Sequence, residues 1–353
     1  MYSLISPYMI MFFALLVAAY IYRCVGDRGR RIVVGLCLTV FILFFGLRGE
    51  FGDDYSVYRY VYEEEPYAHF LSMPAYSVLM AVFRLLHIPF EGFIFACSCL
   101  INVLLFRFLW QRREYNIPFV LCVFLGMSGF IYEMDFIRNI ISILLFANSL
   151  EYIKAGQPKK YLAVNAVGVL FHYSAILYLP LYYVLRRSMS WRVFTSLLVV
   201  AVVIGAIGIP YASLVPESTG ADDTLMTHLS TYINTYTRAM PFTLASVERL
   251  FTALAVCMLY DDLEKDEYGH MGIWLFLFSF VCYGLFSRHA ILATRSANLF
   301  LVCYWILWPL MARRMRKPRQ RSAVGLAMTA YLMSRVISFS LLPQWHYSTI
   351  LSK

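Results

Sequence analysis

The residues best able to do chemistry in this chain are arginines and carboxylates at the ends of apolar segments. Arg48 opens the stretch "RGEFGDDYSVYRYVYEEE", in which Asp53 and Asp54 follow Gly52 and precede Tyr55, Tyr58, Tyr60 and Tyr62. Arg138 stands inside "DFIRNIISILLF", His172 inside "FHYSAILYLPLYY", and Arg288, His289 and Arg295 inside "SRHAILATR". A guanidinium pairs bidentately with phosphate oxygens, and fixed cations stabilise a departing diphosphate. A carboxylate or histidine can take the proton of an attacking hydroxyl, and tyrosines offer flat faces to sugar rings. The set therefore suits transfer of a glycan from a lipid diphosphate. Plainer readings exist for each: Arg48 snorkelling to headgroups, Asp53 and Asp54 closing a turn or capping a helix, Arg138 in a structural ion pair. His172 reads equally as a satisfied core histidine, Arg295 as an interfacial anchor and the tyrosines as an aromatic belt.

The elements that must position these groups are membrane helices. The 353 residues are 61% hydrophobic and 14% charged, with apolar residues in blocks of the length a helix needs to cross a bilayer. The blocks are continuous and do not alternate, which excludes a closed β-barrel. The first, "SPYMIMFFALLVAAYIY", has its arginines (Arg23, Arg28, Arg30, Arg31) after it, the reverse of a secretory signal, so a retained helix is expected. The formal net charge of +9 resides mainly in clusters between helices, as positive-inside sorting produces, and nothing gathers it onto a nucleic-acid-binding face. Eight cysteines lie mostly singly in apolar blocks, and no Cys/His spacing suggests a metal site; no metal and no cofactor is expected.

Basic clusters place Arg23–Arg31, Arg107–Asn116, Lys154–Lys160, Arg186–Arg192 and Ala312–Arg321 on the cytoplasmic side. Counting helices puts Arg48–Phe70, the turn near Tyr132–Asp135, Tyr211–Pro241 and Ser287–Arg295 outside. Leu71–Ile88 is one crossing too many, so a re-entrant or interfacial helix is expected there. Tyr161–Tyr183 is too short for two full spans, and two short helices meeting near His172 satisfy its flanking charges. The expectation is an all-α, polytopic transmembrane bundle of about twelve crossings, with short or re-entrant helices and outer-face loops. It forms a single integral membrane domain over residues 1–353, with periplasmic loops at 48–70 and 211–241. Candidate site residues then converge on one membrane face.

Four motifs in this order resemble the EpsG/Wzy-type polysaccharide polymerases of bacterial inner membranes. "RGEFGDDYSVY" (Arg48–Tyr58) matches that family's arginine–x–x–x–glycine–x–aspartate–tyrosine–x–x–tyrosine signature at Arg48, Gly52, Asp54, Tyr55 and Tyr58. "FIRNIISI" (Phe136–Ile143), "FHYSAILYLPLYY" (Phe171–Tyr183) and "RSANLF" (Arg295–Phe300) resemble its later elements. The likeness is good over residues 1–190 and looser beyond. Asn139 stands for a usual glutamine, Ser142 for an alanine and Leu299 for a tyrosine. Asp53 fills a common threonine slot, so two adjacent carboxylates compete for one role.

The resemblance implies a metal-independent membrane glycosyltransferase. It would move a growing glycan from undecaprenyl diphosphate onto a new lipid-linked repeat unit at the periplasmic face. Asp54, with Asp53 or His172 as rivals, would activate the hydroxyl. Arg138 and Arg295 would hold the diphosphate, with Arg48 and Arg288 in support and Tyr55, Tyr58 and His289 lining the substrate. Implied partners are the lipid-linked oligosaccharide donor and acceptor, membrane lipid, a chain-length regulator and a flippase. The alternatives are a lipid-linked oligosaccharide flippase, which usually carries internal repeats, an O-antigen ligase, or an acyltransferase.

Overall fold

A computed structural model describes residues 6–65, 73–209, 243–315 and 317–352. Its residues group into two compact units, Met1–Val184 with Met315–Lys353, and Leu185–Arg314. The expected outer loop over 211–241 lies outside the described residues, as do residues 66–72 of the first loop and of the expected re-entrant segment.

The first unit begins with α1 (Pro7–Cys24), α2 (Asp27–Gly46), α3 (Tyr55–Glu63), α4 (Pro74–Leu85) and α5 (Phe90–Trp110). It continues with α6 (Ile117–Phe124), α7 (Phe130–Met134), α8 (Ile137–Lys154), α9 (Pro158–Phe171) and α10 (Leu181–Val184). The second unit holds α11 (Trp191–Ile207), α12 (Leu244–Met258), α13 (Tyr260–Glu264), α14 (Glu267–Leu285), α15 (Ala290–Asn298) and α16 (Val302–Arg314). The chain then returns to the first unit as α17 (Pro318–Ser340). Among the described residues no strand forms, and a lone antiparallel bridge joins Arg48 to Thr349.

Helices start and stop where local chemistry dictates. Extended Gly26 separates α1 from α2, and proline occupies the first turn of α1, α4, α6, α9 and α17, where its missing N–H costs nothing. Asn116 caps α6 by accepting the Phe119 N–H at 3.2 Å, and Ser190 caps α11 through the Val193 N–H. The helices are apolar on both faces. Val17, Tyr20, Leu36 and Val199 point outward while Phe12, Phe41, Leu105 and Ile143 fill the interior, the pattern of helices solvated by lipid.

Six described helical segments are long and apolar enough to cross a membrane: α1, α2, α5, Ile117–Met134, α14 and α17. The pair α15–α16, bent by 65°, makes seven if it counts as one span. The chain is thus a helical, multi-pass membrane protein. Six or seven among the described residues do not confirm the expected dozen, and some apolar blocks that look continuous in sequence are cut in the fold. Helix α4 has 12 residues, about 18 Å, too short to cross a ~30 Å core upright. At Tyr161–Tyr183 the two short helices do meet at His172: α9 ends there, and a 3-10 turn over Tyr173–Tyr178 leads into α10.

One cut matters most for the site. Between α6 and α7, residues Leu125–Gly129 form a π-turn in which Ser128 has φ +78°. Irregular backbone at membrane depth persists only where it is packed in protein or lines a cavity. Here it is packed: a Cβ on Gly126 would lie 2.5 Å from Leu332 of α17. A second break follows at Asp135 and Phe136, before α8. Glu133 and Asp135 therefore sit in a broken helix, the arrangement that brings polar groups into membrane binding sites.

Candidate active site

Arg48 follows directly on the end of α2 and is only 1% exposed. The chain's C-terminal segment fixes it there. Gly49 donates its N–H to the Ser348 carbonyl at 2.8 Å, Gly52 to the Gln344 carbonyl at 3.0 Å, and Ile350 to the Leu47 carbonyl at 3.0 Å. Tyr347 donates to the Phe44 carbonyl and stacks on the Phe44 ring, with centroids 4.5 Å apart. The Arg48 guanidinium lies 5.4 Å from the Tyr55 ring centroid, and none of its three nitrogens has a hydrogen-bond acceptor among the described residues. Burial works against its charge, and Asp135 is the foremost of the groups that oppose that loss.

Asp135 is the centre of the arrangement, and it was not among the expected site residues. Its Oδ2 accepts the backbone N–H of Asp53 at 3.1 Å. Its carbonyl accepts the Tyr58 hydroxyl at 2.6 Å. The side chain is buried, and its Oδ1 has no donor among the described residues. Burial first, then the neighbouring Asp54 charge, push its carboxyl up to about 7; the Asp53 N–H and Arg48 work the other way. A carboxyl pushed toward neutrality by burial and a neighbouring charge is chemically suited to act as a general base.

Gly52 makes this approach possible. Its φ is +97°, and a Cβ there would fall 2.6 Å from Asp135 Oδ1 and 3.2 Å from Trp345. Gly52→Ala should therefore cost about 1–3 kcal/mol in strained backbone and displace the Asp135 carboxylate from Asp53. The expected result is a lower thermal midpoint for the purified protein. An unchanged midpoint would contradict the packing described.

Asp54 is the N-cap residue of α3, partly exposed, and interacts electrostatically with Asp135, Tyr58 and Arg138. Asp53 is exposed and contributes its backbone N–H. Arg138, in the first turn of α8, lies 5.4 Å from the Tyr58 ring centroid and 5.6 Å from that of Tyr76. Arg48, Asp53, Asp54, Tyr55, Tyr58 and Arg138 thus gather around Asp135. His172 has a separate local setting: its Nδ1 is 2.7 Å from the Ser174 hydroxyl, and its ring stacks on Tyr173.

In the second unit, Arg288 donates to the Ile207 carbonyl at 2.8 Å and leans on Gly208, whose φ is +71°. His289 is the buried N-cap residue of α15, and Arg295 is exposed in its last turn. This unit also buries Glu248 and Arg249 in α12. Glu248 accepts the Thr252 hydroxyl at 2.7 Å and the Tyr304 hydroxyl at 3.2 Å, while the Arg249 guanidinium lies 4.1 Å from the Tyr283 ring centroid.

Asp135 and Glu133 were legible as a sequence signal: "YEMD" places two carboxylates between apolar runs, three and five residues before Arg138. Read as an outer turn, the stretch gives no reason to bury either.

No curated protein and no solved structure matches the chain. The profile of the EpsG family matches residues 31–349, a range that holds every residue gathered around Asp135. With the motif loop, the broken helix and the multi-pass helical architecture in place, this chain belongs to the EpsG family, whose type of function is that of a membrane polysaccharide polymerase.

Proposed function

We propose that the chain is a glycosyltransferase of the bacterial inner membrane, metal-independent and open to the periplasm. It extends a polysaccharide by moving the glycan of a polyprenyl diphosphate onto a new lipid-linked repeat unit. The observation that carries this reading is the seating of Asp135 against the Arg48–Tyr58 loop with Arg138 beside it.

Asp135 accepts the proton of the acceptor sugar hydroxyl, which attacks the anomeric carbon of the donor. The bond from that carbon to the diphosphate oxygen breaks, and polyprenyl diphosphate leaves with the electron pair. Arg138 meets the developing charge, reinforced by the first turn of α8, whose helix dipole favours an anion at the same end. Tyr58 and Tyr76 flank Arg138 and restrict where its guanidinium points. Asp54 supplies negative charge that keeps Asp135 basic, so its role is to tune the base. His172, as a rival base, and Arg295, as a diphosphate ligand, enter on the strength of the family motifs, and Arg288 and His289 as substrate-binding groups at the expected outer turn, each open to substitution in the same assay.

The test is surface polysaccharide analysis of a deletion strain carrying wild-type, Asp135→Asn, Asp54→Asn or Arg138→Ala protein. Long chains from the wild type and glycans capped with one repeat from Asp135→Asn and Arg138→Ala are expected. Normal long chains from both variants would remove the site from the mechanism. Complete loss of exported glycan would instead point to a flippase.

A further inference from the structure

We propose that a cavity at the far end of α2 from Arg48 binds the phosphodiester head group of an anionic phospholipid, held by Arg30, Arg31 and Arg113. The proposal stands apart from the transfer reaction and does not depend on it.

The cavity has a volume of about 790 Å³. One wall comes from the end of α1 and the first turns of α2, through Tyr22, Asp27, Arg30 and Arg31. The other comes from the end of α5 and the residues after it, through Trp110, Arg113 and Glu114. Depth favours a lipid. Helix α2 has 20 residues, about 30 Å, which matches the hydrocarbon core of a bilayer. With Arg48 just beyond one end of α2 and the cavity at the other, the cavity lies at head-group level. It lies between two of the basic clusters that charge sorting assigns to the cytoplasmic side, where basic pockets between membrane helices hold lipid head groups.

The walls are tied together before any ligand arrives. The buried Tyr22 hydroxyl donates to the Arg113 carbonyl at 3.1 Å, and Arg30 Nε donates to the Tyr22 carbonyl at 3.3 Å. Behind them Asn116 donates to the Ala19 carbonyl at 2.8 Å. The Arg30 guanidinium lies 5.4 Å from the Tyr22 ring centroid, and that of Arg113 lies 5.8 Å from the Trp110 ring. Rings beneath two of the three guanidiniums limit where they point, so less ordering is left to the ligand.

Charge selects the ligand. Three arginines and two carboxylates line the cavity, which leaves one net positive charge. Arg30 pairs with Asp27 at 3.5 Å, whereas Arg31 and Arg113 have no carboxylate partner among the described residues. A phosphodiester carries one negative charge and offers paired oxygens to a guanidinium fork. A zwitterionic head group brings an ammonium as well, which the cations lining the cavity repel.

Native mass spectrometry of the purified full chain, equilibrated with equal amounts of phosphatidylglycerol and phosphatidylcholine of the same acyl chains, tests the site. Wild type should retain phosphatidylglycerol in preference. Combining Arg31→Gln with Arg113→Gln should cut that preference about tenfold, the effect of removing two arginines from beside a lipid phosphate. Combining Arg319→Gln with Arg321→Gln, an equal loss of charge at the start of α17, should leave it unchanged. An equal fall in both double variants would mean diffuse attraction to surface charge and overturns the inference. So does equal retention of the two lipids by wild type. Equal retention with a thermal midpoint raised by inorganic phosphate through Arg31 and Arg113 assigns the cavity to a soluble phosphate and overturns the lipid. Should the double variant fail to fold, Arg113→Gln decides alone: a reduced preference supports the inference and an unchanged one overturns it.

Discussion

Asp135→Asn should lower the rate of glycan transfer by about 10²–10⁴-fold, the range a positioned general base supplies. The change is close to isosteric. An asparagine oxygen can still accept the Asp53 N–H that Asp135 accepts at 3.1 Å, and the Tyr58 hydroxyl bonds the backbone carbonyl, which the substitution leaves in place. Folding and membrane insertion should therefore survive, and the loss should fall on kcat more than on KM. The sign of the pH dependence follows from the raised carboxyl. With its ionisation near about 7, Asp135 is protonated and idle below that pH and competent above it, so wild-type transfer should rise as pH passes through neutrality. Asp54→Asn provides the contrast: removing a negative neighbour lets Asp135 ionise at lower pH, moving the acid limb down without abolishing turnover. Purified protein with a lipid-linked repeat unit, assayed across pH, separates the two. Full activity in Asp135→Asn, or abolition by Asp54→Asn with Asp135→Asn silent, would return the base to the motif loop.

The helical membrane architecture was legible because lipid imposes it: continuous apolar blocks with cations between them have few other solutions. The motif loop was legible because glycine, arginine and tyrosine stand at spacings that match the family. What escaped was depth. Asp135 lies at a helix break, and whether a break faces water or protein depends on what packs across it. Here that packing comes from Gly52, 83 residues upstream, and from Trp345 at the far end of the chain. The break before Phe130 escaped for a related reason. Ser128, with φ +78°, interrupts an apolar run that nothing in its hydropathy interrupts. The C-terminal clamp around Arg48 includes backbone hydrogen bonds at Gly49, Gly52 and Ile350, which residue identity records poorly. Long-range juxtapositions of this kind carry the site, and local pattern is blind to them.

Arg138→Ala should reduce transfer by about 10²–10³-fold, the loss typical when one fixed donor to a developing charge is removed. Arg48 is enclosed, at 1% exposure, whereas Arg138 is only partly buried, at the start of a helix whose dipole has the right sign for an anion. Its guanidinium is flanked by the Tyr58 and Tyr76 rings at 5.4 and 5.6 Å, which restrict its plane. Lysine in its place retains the charge but loses the planar fork, so Arg138→Lys should recover part of the rate and little of the donor affinity. Because diphosphate charge grows as the bond to the sugar breaks, the alanine variant should lose kcat beyond any loss in KM. Steady-state assays with a polyprenyl-diphosphate donor read both. A variant with unchanged kcat and raised KM would make Arg138 a ground-state anchor and leave the leaving-group charge to another cation. Lysine equal to arginine in both constants would remove the bidentate argument and reduce its contribution to charge alone.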